Sequence, residues 1–293
     1  MIKSGLFNFG FWLRAVVSAC IIFLINACSA GNSDDANTRS NSSNSLSISQ
    51  RLSTIAGPFG NPSAATQDVS NKDNYLIIGT SSVISYNSSR GTANWIYWKT
   101  TENDLGTPLE RPLFMPDPRL PPDFEKIDYY AYSGSGYERG HLVPSADRFA
   151  DKNANLETFY MTNIVPQRPA LNQFVWEGLE SYIRRQVRRG LDAYQIAGVY
   201  GEQGRLKNKV TVPTNCWKIV VLMPKGLEPD PSDPRARIIA VDIPNQNGIE
   251  KNDWRMYATT IRFIESKTGL DFFRDWDRVS QDRIESKIEI ENK

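Results

Sequence analysis

The chain has 293 residues, with 34 Lys and Arg against 33 Asp and Glu, so its formal charge of +1 gives no global support for binding a polyanion, and any such binding must rest on a local patch. It carries one histidine, His141, which excludes a zinc site built on two or three imidazoles. Of its three cysteines, Cys20 and Cys28 lie near the N-terminus and only Cys216 falls in the body of the chain, so no disulfide can form within that body.

In chain order, Ala15 to Ala27 is a mostly apolar run of signal-peptide length, shorter than the ~20 residues of a membrane span. Residues 1–27 are therefore expected to direct export to a periplasmic, cell-surface or secreted location. Ile25-Asn26-Ala27-Cys28 looks like a lipoprotein processing site, which would make Cys28 the lipid anchor to a membrane. Lys3 and Arg14 are the only charges in this leader, so residues 28–293 carry 32 basic and 33 acidic groups. Residues 28–51, rich in Ser, Asn and Asp, read as a flexible tether, because they hold too little apolar surface to offset their ordering entropy. Residues 52–293 have the length of one domain and show no internal repeat.

Within that domain, Tyr75 to Ile78, Val83 to Tyr86 and Ala93 to Lys99 read as strands, with a turn at Asn87 to Gly91. Residues 111–123 are proline-rich and read as irregular loop. His141 to Ser145 and Phe159 to Asn163 are short extended candidates. Leu171 to Arg189 is the clearest helix: Val175, Trp176, Leu179, Ile183 and Val187 recur at spacings of three and four, and Gly190 ends it. Ala193 to Val199, Trp217 to Met223 and Ile238 to Ile243 follow as strands, and Thr260 to Lys267 as a helix closed by Gly269. Strands and helices mix without a βαβ rhythm, which predicts an α+β fold.

The chemistry concentrates around His141. Imidazole titrates nearest neutrality and is the default general base. Arg139 sets a planar cation beside it, suited to phosphate, and Gly140 removes bulk between them. Cys216 opens an apolar run, where a buried, inert thiol is expected rather than a nucleophile paired with His141. Asn172 at the start of a helix has a capping role as its alternative reading, and Glu180 with Arg184 an ordinary i,i+4 surface pair. Arg184, Arg185, Arg188 and Arg189 could together form a solvated face. Trp95, Trp98 and Trp176 are expected in the core.

Glu138-Arg139-Gly140-His141, Asn163-Ile164-Val165-Pro166-Gln167 and Leu171-Asn172-Gln173 to Leu179-Glu180, taken together and in order, resemble the DNA/RNA non-specific endonucleases of the ββα-metal type. Tyr132 to Tyr137, Pro144 to Arg148, Gly91 to Trp95 and Asn252 to Arg255 extend the resemblance, which is strongest to the secreted sugar-non-specific nucleases of cyanobacteria and runs from about Asn61 to the C-terminus. It implies a mixed or antiparallel sheet core bearing a ββα-metal finger. It also implies hydrolysis of DNA and RNA, single- and double-stranded, to 5′-phosphate and 3′-hydroxyl ends. His141 then matches the general base, Asn172 the one direct protein ligand of Mg²⁺ (with Mn²⁺ as a substitute), and Glu180 the carboxylate that holds the metal's water. Arg111 and Arg184 match arginines that stabilise the transition state and bind substrate, and Arg139 is the arginine of the signature. The family usually has Asp where this chain has Glu138, a carboxylate expected to reach the metal through water. The longer side chain raises an alternative reading, a catalytically weak nucleic-acid-binding surface lipoprotein. A phosphodiesterase for small molecules is a further alternative, disfavoured by the surplus of arginine.

Overall fold

The computed structural model describes residues 57–230 and 233–288, all within one unit, Ser45–Lys293. The expected leader 1–27 and tether 28–51, with Cys28, lie outside the described residues. The fold is α+β, with an antiparallel central sheet of six strands: β1 (Tyr75–Ile78), β2 (Ser82–Asn87) and β3 (Thr92–Thr100), then β6 (Leu191–Tyr200), β9 (Asn215–Pro224) and β10 (Arg237–Pro244). The intervening strands β4 (Glu138–His141) and β5 (Ile164–Gln167) form a separate antiparallel pair, and the two-residue strands β7 (Arg205–Leu206) and β8 (Val210–Thr211) form another.

The central sheet is covered on both faces, which is why β9 reads as an unbroken apolar run rather than an alternating one. Trp217, Ile219, Val221 and Met223 turn toward Phe59, Ile261, Ile264, Phe272 and Phe273. Cys216, Val220 and Leu222 turn the other way, toward Leu171, Val175, Trp176, Leu179 and Ile183. Trp95, Trp98 and Trp176 are all core residues. Lys218, which shares the face of Val220, is fully buried and opposes Ala197 of β6.

Among the described residues, four α-helices pack around this sheet: α1 (Lys152–Glu157), α2 (Glu177–Arg188), α3 (Ile261–Thr268) and α4 (Arg278–Glu285). Thr260 caps α3 by accepting from the Phe263 amide, and Gly269 closes it in the left-handed region. The helix expected over Leu171 to Arg189 begins with a π-helical turn, Leu171–Trp176, before continuing as α2. Two extended expectations are displaced. Strand β4 ends at His141, and Ser145–Arg148 is a 3₁₀ turn. Met161–Asn163 is likewise 3₁₀, and the strand is Ile164–Gln167. In both places a short run of β-favouring residues was read one turn out of register, because the pairing of β4 with β5 decides which residues extend. Helices α1 and α4 were not foreseen; each starts at an Asp whose side chain accepts backbone amides, Asp151 and Asp277.

The segment between β4 and α1 is pinned by Arg148, one of the largest fully buried side chains. Its guanidinium donates to Ser81 Oγ at 2.8 Å, to the Asp147 carbonyl at 2.6 Å, and to the carbonyls of Lys99 and Ser81 at 2.8 and 3.2 Å. One side chain thus ties the 3₁₀ turn to β3 and to the loop before β2. Arg148→Ala would remove that donor from the buried Asp147 carbonyl and from the half-buried carbonyls of Lys99 and Ser81. It is expected to cost ~3–5 kcal/mol of stability, read from urea denaturation, by analogy with removing one partner of a buried polar network.

Candidate active site

The site is a short antiparallel pair followed by a helix. Strand β4 lies against β5 with Glu138 opposite Gln167 and His141 opposite Ile164. Asn163 locks the end of the pair: its backbone carbonyl accepts from the Leu142 amide, its side-chain oxygen accepts from the Val143 amide, and its side-chain nitrogen donates to the carbonyls of Val143 and Thr158. Gly140 is required by this pairing. A Cβ there would fall 2.0 Å from Gln167 Oε1, so the space that glycine leaves is filled by the buried Gln167 side chain rather than by a ligand.

The π-turn and α2 then carry Asn172, Glu177, Glu180 and Arg184 to the wall of a cleft of about 360 Å³ that is also lined by Arg111, Arg139, His141, Pro144 and Phe159. Six of the seven residues singled out from sequence therefore line one cavity, and the seventh, Glu138, bonds to the sixth side chain of that set, Asn172. A π-turn widens the helix by one residue and is a frequent feature of functional sites.

His141 is only partly exposed. Its ring packs edge-on against Phe159, with centroids 5.0 Å apart, and against Phe114 at 5.4 Å. Its Nε2 is sealed from solvent and has no hydrogen-bond partner among the described residues. Burial, and then the positive charge of Arg111, push the imidazole down to about 3, so it is neutral at physiological pH. Arg111 is held over the same two rings, 5.5 Å from Phe114 and 5.4 Å from Phe159. The loop that bears it is fixed by Met115, whose amide donates to the Phe159 carbonyl and whose carbonyl accepts from the Met161 amide.

Asn172 is not a helix cap. It lies inside the π-turn, and its Nδ2 donates to Glu138 Oε2 at 2.8 Å. The other Glu138 oxygen accepts from Gln173 Nε2. Both carboxylate oxygens are thus engaged by amides of the helix, and the extra methylene of Glu138 spans from β4 to the π-turn. This leaves the Asn172 Oδ1 directed away from Glu138.

Glu180 and Arg184 do not form the ordinary surface pair that i,i+4 spacing allows. Glu180 sits mostly buried between Lys218, 3.6 Å away, and Arg184 at 3.8 Å. Desolvation raises its carboxyl to about 7; Lys218 and Arg184 oppose that rise, while Asp147 and Glu177 add to it. Lys218 is in turn held below the usual lysine range by burial, with Glu180 and Asp147 opposing. Its ammonium lies 4.4 Å from the Trp176 ring and 5.1 Å from Trp98. Arg184 donates to Asp147 Oδ1 at 3.3 Å and to Ser181 Oγ at 3.1 Å. The buried Asp147 also accepts from Trp98 Nε1, Thr100 Oγ1 and Gln195 Nε2. Of the four arginines in this stretch only Arg184 turns inward; Arg185, Arg188 and Arg189 are exposed.

Lys218 and Asp147 were missed by sequence reasoning. A lysine in the middle of an apolar strand was the available signal for the first, because an unpaired buried ammonium is costly. Asp147 gave no signal apart from its place in the Pro144 to Arg148 motif. Cys216 is the inert thiol expected: it is buried, accepts from Gln167 Nε2 at 3.5 Å, and is pushed up to about 12 by burial.

The donors around the cleft fit a hard divalent cation. Asn172 offers an amide oxygen, and Glu138 and Glu180 offer carboxylates, with Glu180 Oε1 turned toward Lys218. Among the described residues no three His, Cys, Asp or Glu side chains cluster as a metal cage. An ion that keeps most of its water, as Mg²⁺ does, needs no such cage.

Residues 60–279 match the family model for the DNA/RNA non-specific endonucleases. A nuclease of Nostoc sp. (strain PCC 7120) is 43% identical over 235 residues, covering 79% of this chain and 85% of that one. Nuclease C1 of Cunninghamella echinulata var. echinulata is 30% identical over 232 residues, 73% of this chain and 86% of its own. In overall fold the chain is similar to a solved structure described as the EndoG/EndoGI complex, with a TM-score of 0.65 at 22% identity, covering 80% of this chain and 95% of that one. A β-strand pair, a helix and a lone imidazole around an oxygen-lined cleft define a ββα-type nuclease. The chain belongs to the DNA/RNA non-specific endonuclease family and is a hydrolase.

Because the folded imidazole binds its proton less readily than an unfolded one, the fold loses stability as pH falls from ~6.5 toward the His141 value. In the metal-free protein its single NMR resonance is expected to stay at the neutral-imidazole position down to about pH 5, below the ordinary midpoint of ~6.5. Arg111→Gln should raise that midpoint without restoring it fully, since burial is the larger cause. A midpoint near the ordinary value in both proteins would show a solvated ring.

Proposed function

We propose that this protein is a Mg²⁺-dependent, sugar-non-specific endonuclease that hydrolyses DNA and RNA to 5′-phosphate and 3′-hydroxyl ends, with His141 as general base. The observation that carries the reading is the convergence of a neutral imidazole, three arginines and an oxygen donor set on one cleft. With Nε2 sealed, Nδ1 is the His141 nitrogen that a water in the cleft can reach, and it takes the proton as that water attacks phosphorus. Arg111 opposes protonation of His141 in the free protein. A phosphate paired with Arg111 removes that repulsion, so the base strengthens as substrate arrives.

Negative charge then grows on the non-bridging oxygens, where Arg111, Arg139 and Arg184 stabilise it. Arg184 is suited to this because Asp147 and Ser181 fix its guanidinium beforehand. Asn172 Oδ1 would hold Mg²⁺ (or Mn²⁺) directly, with Glu180 and Glu138 holding its water. Glu138 has a further part as the positioning residue that orients the Asn172 amide. When bound, the ion supplies charge stabilisation for the departing 3′ oxygen. Since water is the nucleophile, a 2′-hydroxyl is neither needed nor consumed, and both sugars are substrates.

The bridge from Glu138 to Asn172 and Gln173 speaks against a site spoiled by the longer carboxylate, and so against the weakly catalytic binding protein. The leader and Cys28 support export and lipid anchoring, with the Ser- and Asn-rich tether extending the enzyme's reach. The mass of the mature N-terminus tests this: an unmodified N-terminus elsewhere than Cys28 would refute the anchor.

His141→Ala is expected to lower the rate of plasmid cleavage by ~10²–10⁴-fold with the Mg²⁺ dependence unmoved. Asn172→Ala should instead shift the Mg²⁺ half-saturation to higher concentration. Cleavage within a few fold of the parent after His141→Ala would sink the base assignment. An unmoved Mg²⁺ titration after Asn172→Ala would sink the ligand.

A further inference from the structure

Beside the catalytic cleft, the 3₁₀ turn Tyr129–Tyr132 sets two aromatic rings on the surface. Tyr129 and Tyr130 are 40% and 59% exposed among the described residues. Their rings stack on each other with centroids 4.0 Å apart and planes 31° from parallel. Exposed aromatic surface of this kind marks a contact site more often than chance.

The pair is held rigidly. Asp128 caps the turn by accepting from the Ala131 amide at 3.2 Å. Tyr132, the last residue of the turn, is buried and donates from its hydroxyl to the Ile164 carbonyl of β5 at 3.2 Å. Arg139 donates to the Tyr129 carbonyl at 2.8 and 3.3 Å while its guanidinium lies 5.4 Å from the Tyr129 ring centroid. Lys207 Nζ donates to the Tyr130 carbonyl at 2.6 Å. A cation therefore stands at each tyrosine, and the rings lose little freedom when something stacks on them.

The position of the pair is as telling as its rigidity. Arg139 is a wall of the catalytic cleft. Next to the pair, Ala131, Ser133, Gly134, Tyr137, Arg205 and the same Lys207 line a second groove of about 390 Å³. A strand leaving the cleft past Arg139 would meet the rings and then a groove with two further cations on its rim. Alternating cations for phosphates and flat rings for bases are the elements that hold single strands without sequence preference.

Resting on the endonuclease reading of the cleft, we propose that Tyr129 and Tyr130 are a stacking platform for unpaired bases of single-stranded DNA or RNA, a few nucleotides from the scissile phosphate. The occupant is unpaired because a base inside a duplex already has both faces covered, whereas a free base has a face to offer. The platform is not part of the chemical step. It tunes which strands are held, and so sets a preference for single-stranded over duplex substrate that the catalytic residues alone do not impose.

The test compares the parent with Tyr129→Ala/Tyr130→Ala and Tyr129→Phe/Tyr130→Phe on three substrates: a single-stranded oligonucleotide, the duplex of the same sequence, and bis(p-nitrophenyl) phosphate. The Ala pair should raise KM for the single strand about 5- to 100-fold, the range that loss of base–aromatic stacking gives. Duplex cleavage and kcat on the small diester should stay within about two-fold, and the Phe pair should restore the single-strand KM, since it keeps both rings. Binding is read separately in a His141→Ala background with EDTA, by quenching of 2-aminopurine placed in the single strand, which the Ala pair should abolish. An unchanged single-strand KM with quenching intact would overturn the platform and leave the rings as a protein-contact surface. Equal loss on all three substrates would also overturn it. If the parent cleaves none of them with Mg²⁺, the endonuclease reading itself fails.

Discussion

A fully buried ammonium lies at the centre of this structure. Lys218 stands on the inner face of β9 beneath α2, with Glu180 at 3.6 Å as its counter-charge and the faces of Trp98 and Trp176 around it. A charge in such a place is tolerable only when its partner is fixed, and removing one partner typically costs ~3–5 kcal/mol. The pair therefore dictates the rotation of α2 on the sheet. Once Glu180 is fixed, Arg184 one turn later meets Asp147, which is itself held by Trp98, Thr100 and Gln195. The face of α2 that lines the cleft is thus oriented from beneath.

The strand pair on the other side of the cleft depends on close packing rather than on charge. Gln167 fills the space above Gly140, and Asn163 ties the residues just after β4 to the C-terminal end of α1. These contacts set His141 against Phe114 and Phe159 and seal its Nε2 from solvent. Burial lowers the proton affinity of the imidazole, and Arg111 lowers it further. Of the two effects, only the Arg111 repulsion is one that an anion paired with that guanidinium would offset. Glu138 joins the two halves of the site, since it starts on β4 and ends on the amides of Asn172 and Gln173.

Much of the site was legible in the sequence because its motifs are local. Glu138 to His141 is a four-residue strand, and Asn172, Glu180 and Arg184 share one amphipathic helix whose apolar stripe is plain. The six central strands were legible as well, since each is a run of β-branched and aromatic residues; the first has the bounds expected, and the other five extend one or two residues further at each end. The displaced elements, His141 to Ser145 and Phe159 to Asn163, are too short for a periodic signal. Their conformation is set by partners far away in sequence.

Sequence alone marked the candidate side chains of the site. A single imidazole, a signature arginine and a helix with Asn and Glu at the right separation limit the reaction before any coordinates exist. Only the tertiary structure decided the state of those groups. The neutral imidazole, the Glu180 carboxyl raised to about 7 and the inward turn of Arg184 alone among its neighbours all arise from desolvation and from contacts between residues far apart in the chain. Lys218 makes the distinction concrete. Its letter in the sequence marks a cation in an apolar strand, but the need for Glu180 beside it exists only once the helix has closed over the sheet and excluded water.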